Sequence, residues 1–346
     1  MINAAINGFG RIGRAVTRLI LNSTDIKLCF INEIDPDIDN LAYLLKYDSI
    51  YGRFNKKIKT DKLKSEILCK KQAIKVYSCP DPRKIPWNDH NIDVLIDATG
   101  VKKNVATAHK LINKGVKKVV ITHSPPPQDI DATIVFGANE DSYDPQKHHV
   151  VSSSICDAIA IAPVLYELNN AWGIKSCFVT TLHPWLSYQN LLDGSLSSIS
   201  NPGHFWTDFS LGRSSISNLI PKDTTAAGAV LKIIPELKNK IDAISFRVPT
   251  SIVSATDLTA VLESPATAED INNHIKKMSR KKPEIFELQE EQLVSIDHCG
   301  TNISSIIDAT RTKVVDKRMV KMVLWYDNEW GYSNKVLEMA RLAMKK

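Results

Sequence analysis

The segment Gly8-Phe9-Gly10-Arg11-Ile12-Gly13 stands directly after the apolar run of residues 2–6 and directly before a helical stretch through residues 14–21. Glycines at this spacing permit a tight turn, close approach of backbone to a pyrophosphate, and packing of helix against strand. Alone, the pattern is weak. A second β-rich run, residues 26–32, leads directly into Glu33. An acidic side chain at this distance beyond the turn accepts hydrogen bonds from an adenosine ribose and repels a 2′-phosphate. Strand, turn, helix, strand and acid together predict a dinucleotide-binding unit that takes NAD in preference to NADP. The start of the helix adds its partial positive charge beneath the pyrophosphate.

A chain of 346 residues is long enough for about two domains at ~100–200 residues each. Apolar runs at residues 94–96, 119–121 and 134–136 extend the first sheet, and residues 69–77 read as a hairpin arm inserted before them. The fold class is therefore α/β: a Rossmann-type doubly wound parallel sheet over residues 1–155. Beyond residue 156 the runs become longer and β-branched (177–182, 241–247, 252–261, 320–326), separated by helices such as 268–279. That pattern predicts an α+β domain with a mainly antiparallel sheet and helices on one face. Val336, Leu337, Ala340, Leu342 and Ala343 recur at helical spacing, so a final amphipathic helix is expected over residues 334–346.

The balance of 44 Lys and Arg against 38 Asp and Glu gives +6, spread without a long basic block, which argues against a nucleic-acid partner. No uncharged apolar run of ~18 residues occurs, so no membrane span is expected. The N-terminal residues carry Arg11 and Arg14 where a signal peptide needs an apolar core, which predicts a cytoplasmic protein. Cys29, Cys69, Cys79, Cys156, Cys177 and Cys299 form no CxxC pair, as expected of reduced thiols. No metal site is expected. The adjacent His148 and His149 cannot place both rings on one ion in a strand, and Asp297-His298-Cys299 lacks a fourth ligand.

Cys156 precedes the helical run of residues 158–168, which puts it in a first turn where unpaired amides and the helix dipole favour a thiolate. His183 ends the strand that follows this helix and is a suitable partner for a thiolate and imidazolium pair. Each residue taken alone has a structural reading, as an inert buried thiol and a satisfied core histidine.

The landmarks INGFGRIGR (residues 6–14), KYDS with GRF (46–54), the SxxxC segment (152–156), FRVPT (246–250) and WYDNEWGYSN (325–334) run the length of the chain. On them the sequence resembles the phosphorylating glyceraldehyde-3-phosphate dehydrogenase family. The resemblance implies a homotetramer, with an NAD-binding domain of residues 1–155 and 330–346 and a catalytic domain of residues 156–329. It implies NAD-dependent oxidation of glyceraldehyde 3-phosphate or a closely related aldehyde. Cys156 would form a thiohemiacetal and then a thioester, His183 would act as base, and inorganic phosphate would release an acyl phosphate. Gly8, Gly10, Arg11, Ile12, Gly13 and Glu33 would hold the adenosine half of NAD, with Thr99 and Thr122 further along. Asn328 would hold the nicotinamide carboxamide, with Tyr332 nearby. Arg247 would bind the substrate phosphate, and Arg213 and Thr224 the attacking phosphate.

The sequence departs from the family at several of these places. Where the family usually reads SCTTN, Ile155-Cys156-Asp157-Ala158-Ile159 stands, so two hydroxyls are gone and a carboxylate adjoins the thiol. Asp157 either opposes the anions of the site or turns away to cap the helix. Leu186 replaces a hydroxyl donor in the stretch after His183, Thr225 stands where a glycine amide is expected, and Asp223 replaces a serine. Such losses suggest a shifted substrate. One alternative is similar to erythrose-4-phosphate dehydrogenase or another non-phosphorylating enzyme; another is a non-catalytic NAD-binding relative.

Overall fold

The computed structural model describes residues 1–70, 72–187, 189–195 and 208–345; Tyr188 and Lys346 lie outside the described residues. Among these residues no helix is long and apolar enough to cross a membrane. The chain divides into two compact units. One comprises Met1–Val135, Asn139–Ile155 and Tyr332–Lys346, the other Phe136–Ala138 and Cys156–Gly331.

The first unit is built on a sheet whose central strand, Ile2–Asn7, pairs in parallel with Ile26–Asn32 on one side and Val94–Asp97 on the other. Ala4, Ala5 and Ile6 are fully buried, as a strand covered on both faces requires. Lys118–Ile121, Val150–Ser152 and Ala132–Thr133 continue the sheet in parallel. The opposite edge is a meander of Ile58–Asp61, Glu66–Cys69 and Gln72–Tyr77, antiparallel within itself and joined in parallel to Ile26–Asn32. Strand order reverses at Ile2–Asn7, so the carboxyl ends of its neighbours open a crevice for a ligand. Two short strands escape sequence reading. Residues 134–136 lie beyond the strand Ala132–Thr133, and Val150–Ser152 is too brief and too buried to show a period.

Backbone geometry explains the glycines. Gly8 has φ +92°, and a Cβ on Gly13 would stand 2.0 Å from the Gly8 carbonyl oxygen; a Cβ on Gly10 would meet nothing within 4 Å. Gly13→Ala is expected to lower the unfolding free energy by about 3 kcal/mol, because the contact is with backbone that cannot give way. A urea titration beside Gly10→Ala, expected to keep wild-type stability, checks this.

The second unit orders its strands Ile220–Asp223, Ile241–Val248, Ile174–Pro184, Ser254–Leu262, Met319–Tyr326, Ser305–Asp308 and Phe286–Gln289, with Lys313–Val315 also paired to Met319–Tyr326. Two neighbouring pairs are parallel, Ile174–Pro184 with Ile241–Val248 and Phe286–Gln289 with Ser305–Asp308; the others are antiparallel. The helix Cys156–Trp172 is apolar almost all round, which suits a helix buried against a sheet. Its first residue is Cys156.

Candidate active site

Strand pairing assembles the centre of the second unit. Ile174–Pro184 and Ile241–Val248 run in parallel with His183 directly opposite Arg247, a residue remote from it in sequence. The Cys156 helix then brings Sγ to 3.6 Å from His183 Nε2. The other ring nitrogen, Nδ1, lies 2.9 Å from the Pro184 carbonyl oxygen. A carbonyl only accepts, so Nδ1 carries the proton and Nε2 turns a lone pair toward the thiol. The Arg247 guanidinium donates to the same Pro184 oxygen at 3.4 Å.

Asp157 does not cap its helix. The carboxylate is 6% exposed; its Oδ1 lies 3.6 Å from Cys156 Sγ and accepts a 2.8 Å hydrogen bond from the Tyr326 hydroxyl. Burial and the carboxylate keep that phenol protonated, its pKa well above the usual value. The cap reading fails because the helix starts in the interior, where the carboxylate finds a phenol and a thiol.

Protonation states follow from burial. Desolvation, reinforced by Asp157 and opposed by Arg247, raises the Cys156 thiol well above its ordinary pKa. Desolvation and then Arg247 lower His183 to about 4, Asp157 opposing. Both shifts favour a neutral thiol facing a neutral imidazole over the expected thiolate and imidazolium pair. A helix terminus is worth up to ~2 kcal/mol, less than the desolvation of a buried charge beside a carboxylate.

Lys222, on the edge strand Ile220–Asp223, is half-buried and electrostatically coupled to Arg247, Asp157 and His183; burial is the main cause of its lowered pKa. It escaped the sequence reading, and its only signal there is a lysine on a strand shortly before Thr224. Two other expected residues are engaged elsewhere. Arg213 is an exposed guanidinium paired with Asp193 at 2.7 Å, and the Thr224 hydroxyl accepts from the Ala226 amide at 3.1 Å. Leu186 donates its amide to Gln189 Oε1 in a local turn. Asn328 is 6% exposed, and its Oδ1 is buried without a partner among the described residues.

In the first unit the expected residues follow the ends of four adjacent parallel strands: the glycine turn after Ile2–Asn7, Glu33 after Ile26–Asn32, Thr99 after Val94–Asp97 and Thr122 after Lys118–Ile121. Glu33 accepts from the Phe9 amide at 2.5 Å and the Ile34 amide at 2.7 Å, so it ties the second strand end to the turn. The Thr99 hydroxyl donates to Asp97 at 2.6 Å and accepts from Asn104. Arg11 pairs with Asp48 at 2.5 Å, and Ile12 is half-buried beside it. The Tyr332 hydroxyl donates to the Ser154 carbonyl at 3.0 Å, bracing a residue at φ +59°. No side chain caps the helix Arg11–Asn22 at Gly10.

Two family models match the sequence: glyceraldehyde 3-phosphate dehydrogenase, NAD binding domain, over residues 2–105, and the C-terminal domain of the same family over residues 155–328. Among curated relatives, glyceraldehyde-3-phosphate dehydrogenase 2 of Kluyveromyces marxianus is 40% identical over the full length of both chains. Glyceraldehyde-3-phosphate dehydrogenase 1 of Bacillus cereus is 38% identical over 98% of each. The Geobacillus stearothermophilus enzyme of that name is 38% identical over 98% of this chain and 97% of its own.

Proposed function

Because the chain belongs to the glyceraldehyde 3-phosphate dehydrogenase family, we propose that it oxidises glyceraldehyde 3-phosphate with NAD and passes the acyl group to inorganic phosphate. The observation that carries this reading is the 3.6 Å contact between Cys156 Sγ and His183 Nε2, with Nδ1 turned to the Pro184 carbonyl. The relatives' names favour this substrate over erythrose 4-phosphate, and the assembled Cys156 and His183 pair favours an enzyme over a non-catalytic relative.

NAD, when bound, supplies the hydride acceptor. An uncapped helix start behind an open Gly10 suits a pyrophosphate, and the unpartnered Asn328 Oδ1 suits a carboxamide N–H. On this reading Gly8, Gly10, Arg11, Ile12, Gly13, Glu33, Thr99 and Thr122 build the dinucleotide site, with Asn328 on the nicotinamide and Tyr332 as a brace. Residues 1–155 and 330–346 form the NAD domain, and residues 156–329 the catalytic domain.

Cys156 Sγ attacks the aldehyde carbon while its proton passes through His183 Nε2 to the carbonyl oxygen, giving a thiohemiacetal. Nε2 then takes the hydroxyl proton as the C–H electron pair leaves, and the carbonyl of a thioester forms. A pKa lowered to about 4 lets the ring give that proton up readily, and the Cys156 amide at the helix start stabilises the oxyanion. Phosphate adds to the thioester and expels the Cys156 sulfur. Arg247 binds the substrate phosphate, with Lys222 as a second cation in place of the missing hydroxyls; Thr224 serves the attacking phosphate, and Arg213 does so on exchanging Asp193 for that anion.

The test is NADH formation from glyceraldehyde 3-phosphate with and without inorganic phosphate, beside erythrose 4-phosphate. Turnover that needs phosphate and prefers the triose supports the proposal; phosphate-independent turnover of the tetrose overturns it. Arg247→Gln is expected to raise KM for the phosphorylated aldehyde about 10- to 100-fold, the loss of one charge-assisted contact. Initial-rate kinetics check that.

Phe178, Leu182 and Ile244 are exposed on the strands Ile174–Pro184 and Ile241–Val248. An apolar sheet face of this kind supports a homotetramer. Sedimentation equilibrium is expected to give four chains, and Leu182→Asp to reduce that number. Cytoplasmic residence, with no nucleic-acid partner, completes the proposal.

A further inference from the structure

We propose that Cys156, Asp157 and His183 also form a binding site for a zinc-class divalent cation, which sequesters the nucleophile when occupied. Among the described residues these are the one group of three ligand-type side chains gathered closely, their ligand atoms all within 4.8 Å of one another. The arrangement matches tetrahedral zinc. With metal bonds of ~2.3 Å to sulfur and ~2.0–2.2 Å to nitrogen or oxygen, the sulfur-to-nitrogen and sulfur-to-oxygen edges come to ~3.6 Å. Both separations are 3.6 Å here. The third edge, from the carboxylate to Nε2, falls within the same 4.8 Å.

The surrounding contacts orient the ligands as metal sites require. Nδ1 of His183 faces the Pro184 carbonyl at 2.9 Å, which leaves Nε2 available as a ligand, and the Tyr326 hydroxyl holds Asp157 at 2.8 Å. Charge decides why the third residue matters. Arg247 already brings a positive charge to this centre, and a thiolate with one imidazole would meet the cation with a single negative charge. The Asp157 carboxylate supplies the second.

Binding breaks the Cys156 S–H bond, forms a metal–sulfur bond and releases one proton to solvent, with no change of oxidation state. The fourth position stays open for water. Ligand spacing along the chain does not reveal the group, because it joins a helix start to the end of the following strand.

The test uses the whole metal-free protein without substrate, so a failure to oxidise glyceraldehyde 3-phosphate would leave its outcome unaffected. Zinc is titrated by calorimetry, and cobalt(II) is followed under anaerobic conditions by its tetrahedral absorption bands and sulfur charge-transfer band. Expected are one ion per chain, release of one proton, tetrahedral bands, and protection of Cys156 from alkylation that a chelator reverses. Asp157→Asn should weaken zinc binding at least tenfold, and Cys156→Ala should abolish it. Tyr326→Phe, which leaves all three ligands, should weaken it less than Asp157→Asn. An absence of stoichiometric binding, or binding unchanged in Asp157→Asn or Cys156→Ala, would overturn the proposal.

Discussion

Cys156→Ala is expected to lower kcat by at least about 10⁴-fold while NAD binding and the denaturation midpoint stay near wild type. Covalent catalysis has no substitute here, since the atom that carries the acyl group is removed. The folded state loses little, because the Cys156 sulfur contacts Asp157 and His183 only at 3.6 Å. The raised thiol pKa adds a second signature. Iodoacetamide should alkylate Cys156 slowly at pH 7 and much faster above pH 9, since the thiolate is the reactive species. Peptide mapping after timed alkylation measures this against the other cysteines.

The second large effect is at His183. His183→Asn is expected to cost about 10²–10⁴-fold in kcat, the contribution of a positioned general base. The ring is held at about pKa 4, so the wild-type acid limb should fall near pH 4 and not near 6.5. Stability carries the same signature. Because the folded pKa lies below the ~6.5 of an exposed histidine, the unfolded chain binds more protons between these values, and stability rises with pH across that window. Below about pH 4 the slope from this group levels off, and above pH 6.5 it vanishes. Urea titrations from pH 4 to 7 should show this slope in the wild type and a shallower one in His183→Asn.

What sequence could and could not reveal follows the range of each interaction. The glycine turn and Glu33 are local: strand, turn, helix and acid all fall between Ile2 and Glu33, and Gly13 answers to the nearby Gly8 carbonyl. The Asp157 environment is not local. Its phenol donor, Tyr326, lies on a strand near the far end of the chain, and Arg247 reaches His183 only through strand register. A carboxylate at a helix start therefore looked like a cap, when the sheet beneath it supplies a buried hydroxyl. The charge state of Cys156 was hidden for the same reason. Helix dipoles can be read from order along the chain, whereas desolvation depends on what covers the thiol. Lys222 entered the site by sheet pairing alone.

The most direct measurement is a single turnover of NAD-loaded protein with glyceraldehyde 3-phosphate and no inorganic phosphate, followed by mass spectrometry of the Cys156 peptide. The account predicts a burst of NADH close to one equivalent of active sites, an acyl adduct on Cys156, and its discharge as an acyl phosphate when phosphate is added. Steady NADH formation without phosphate and without an adduct, or an adduct on another cysteine, would contradict it.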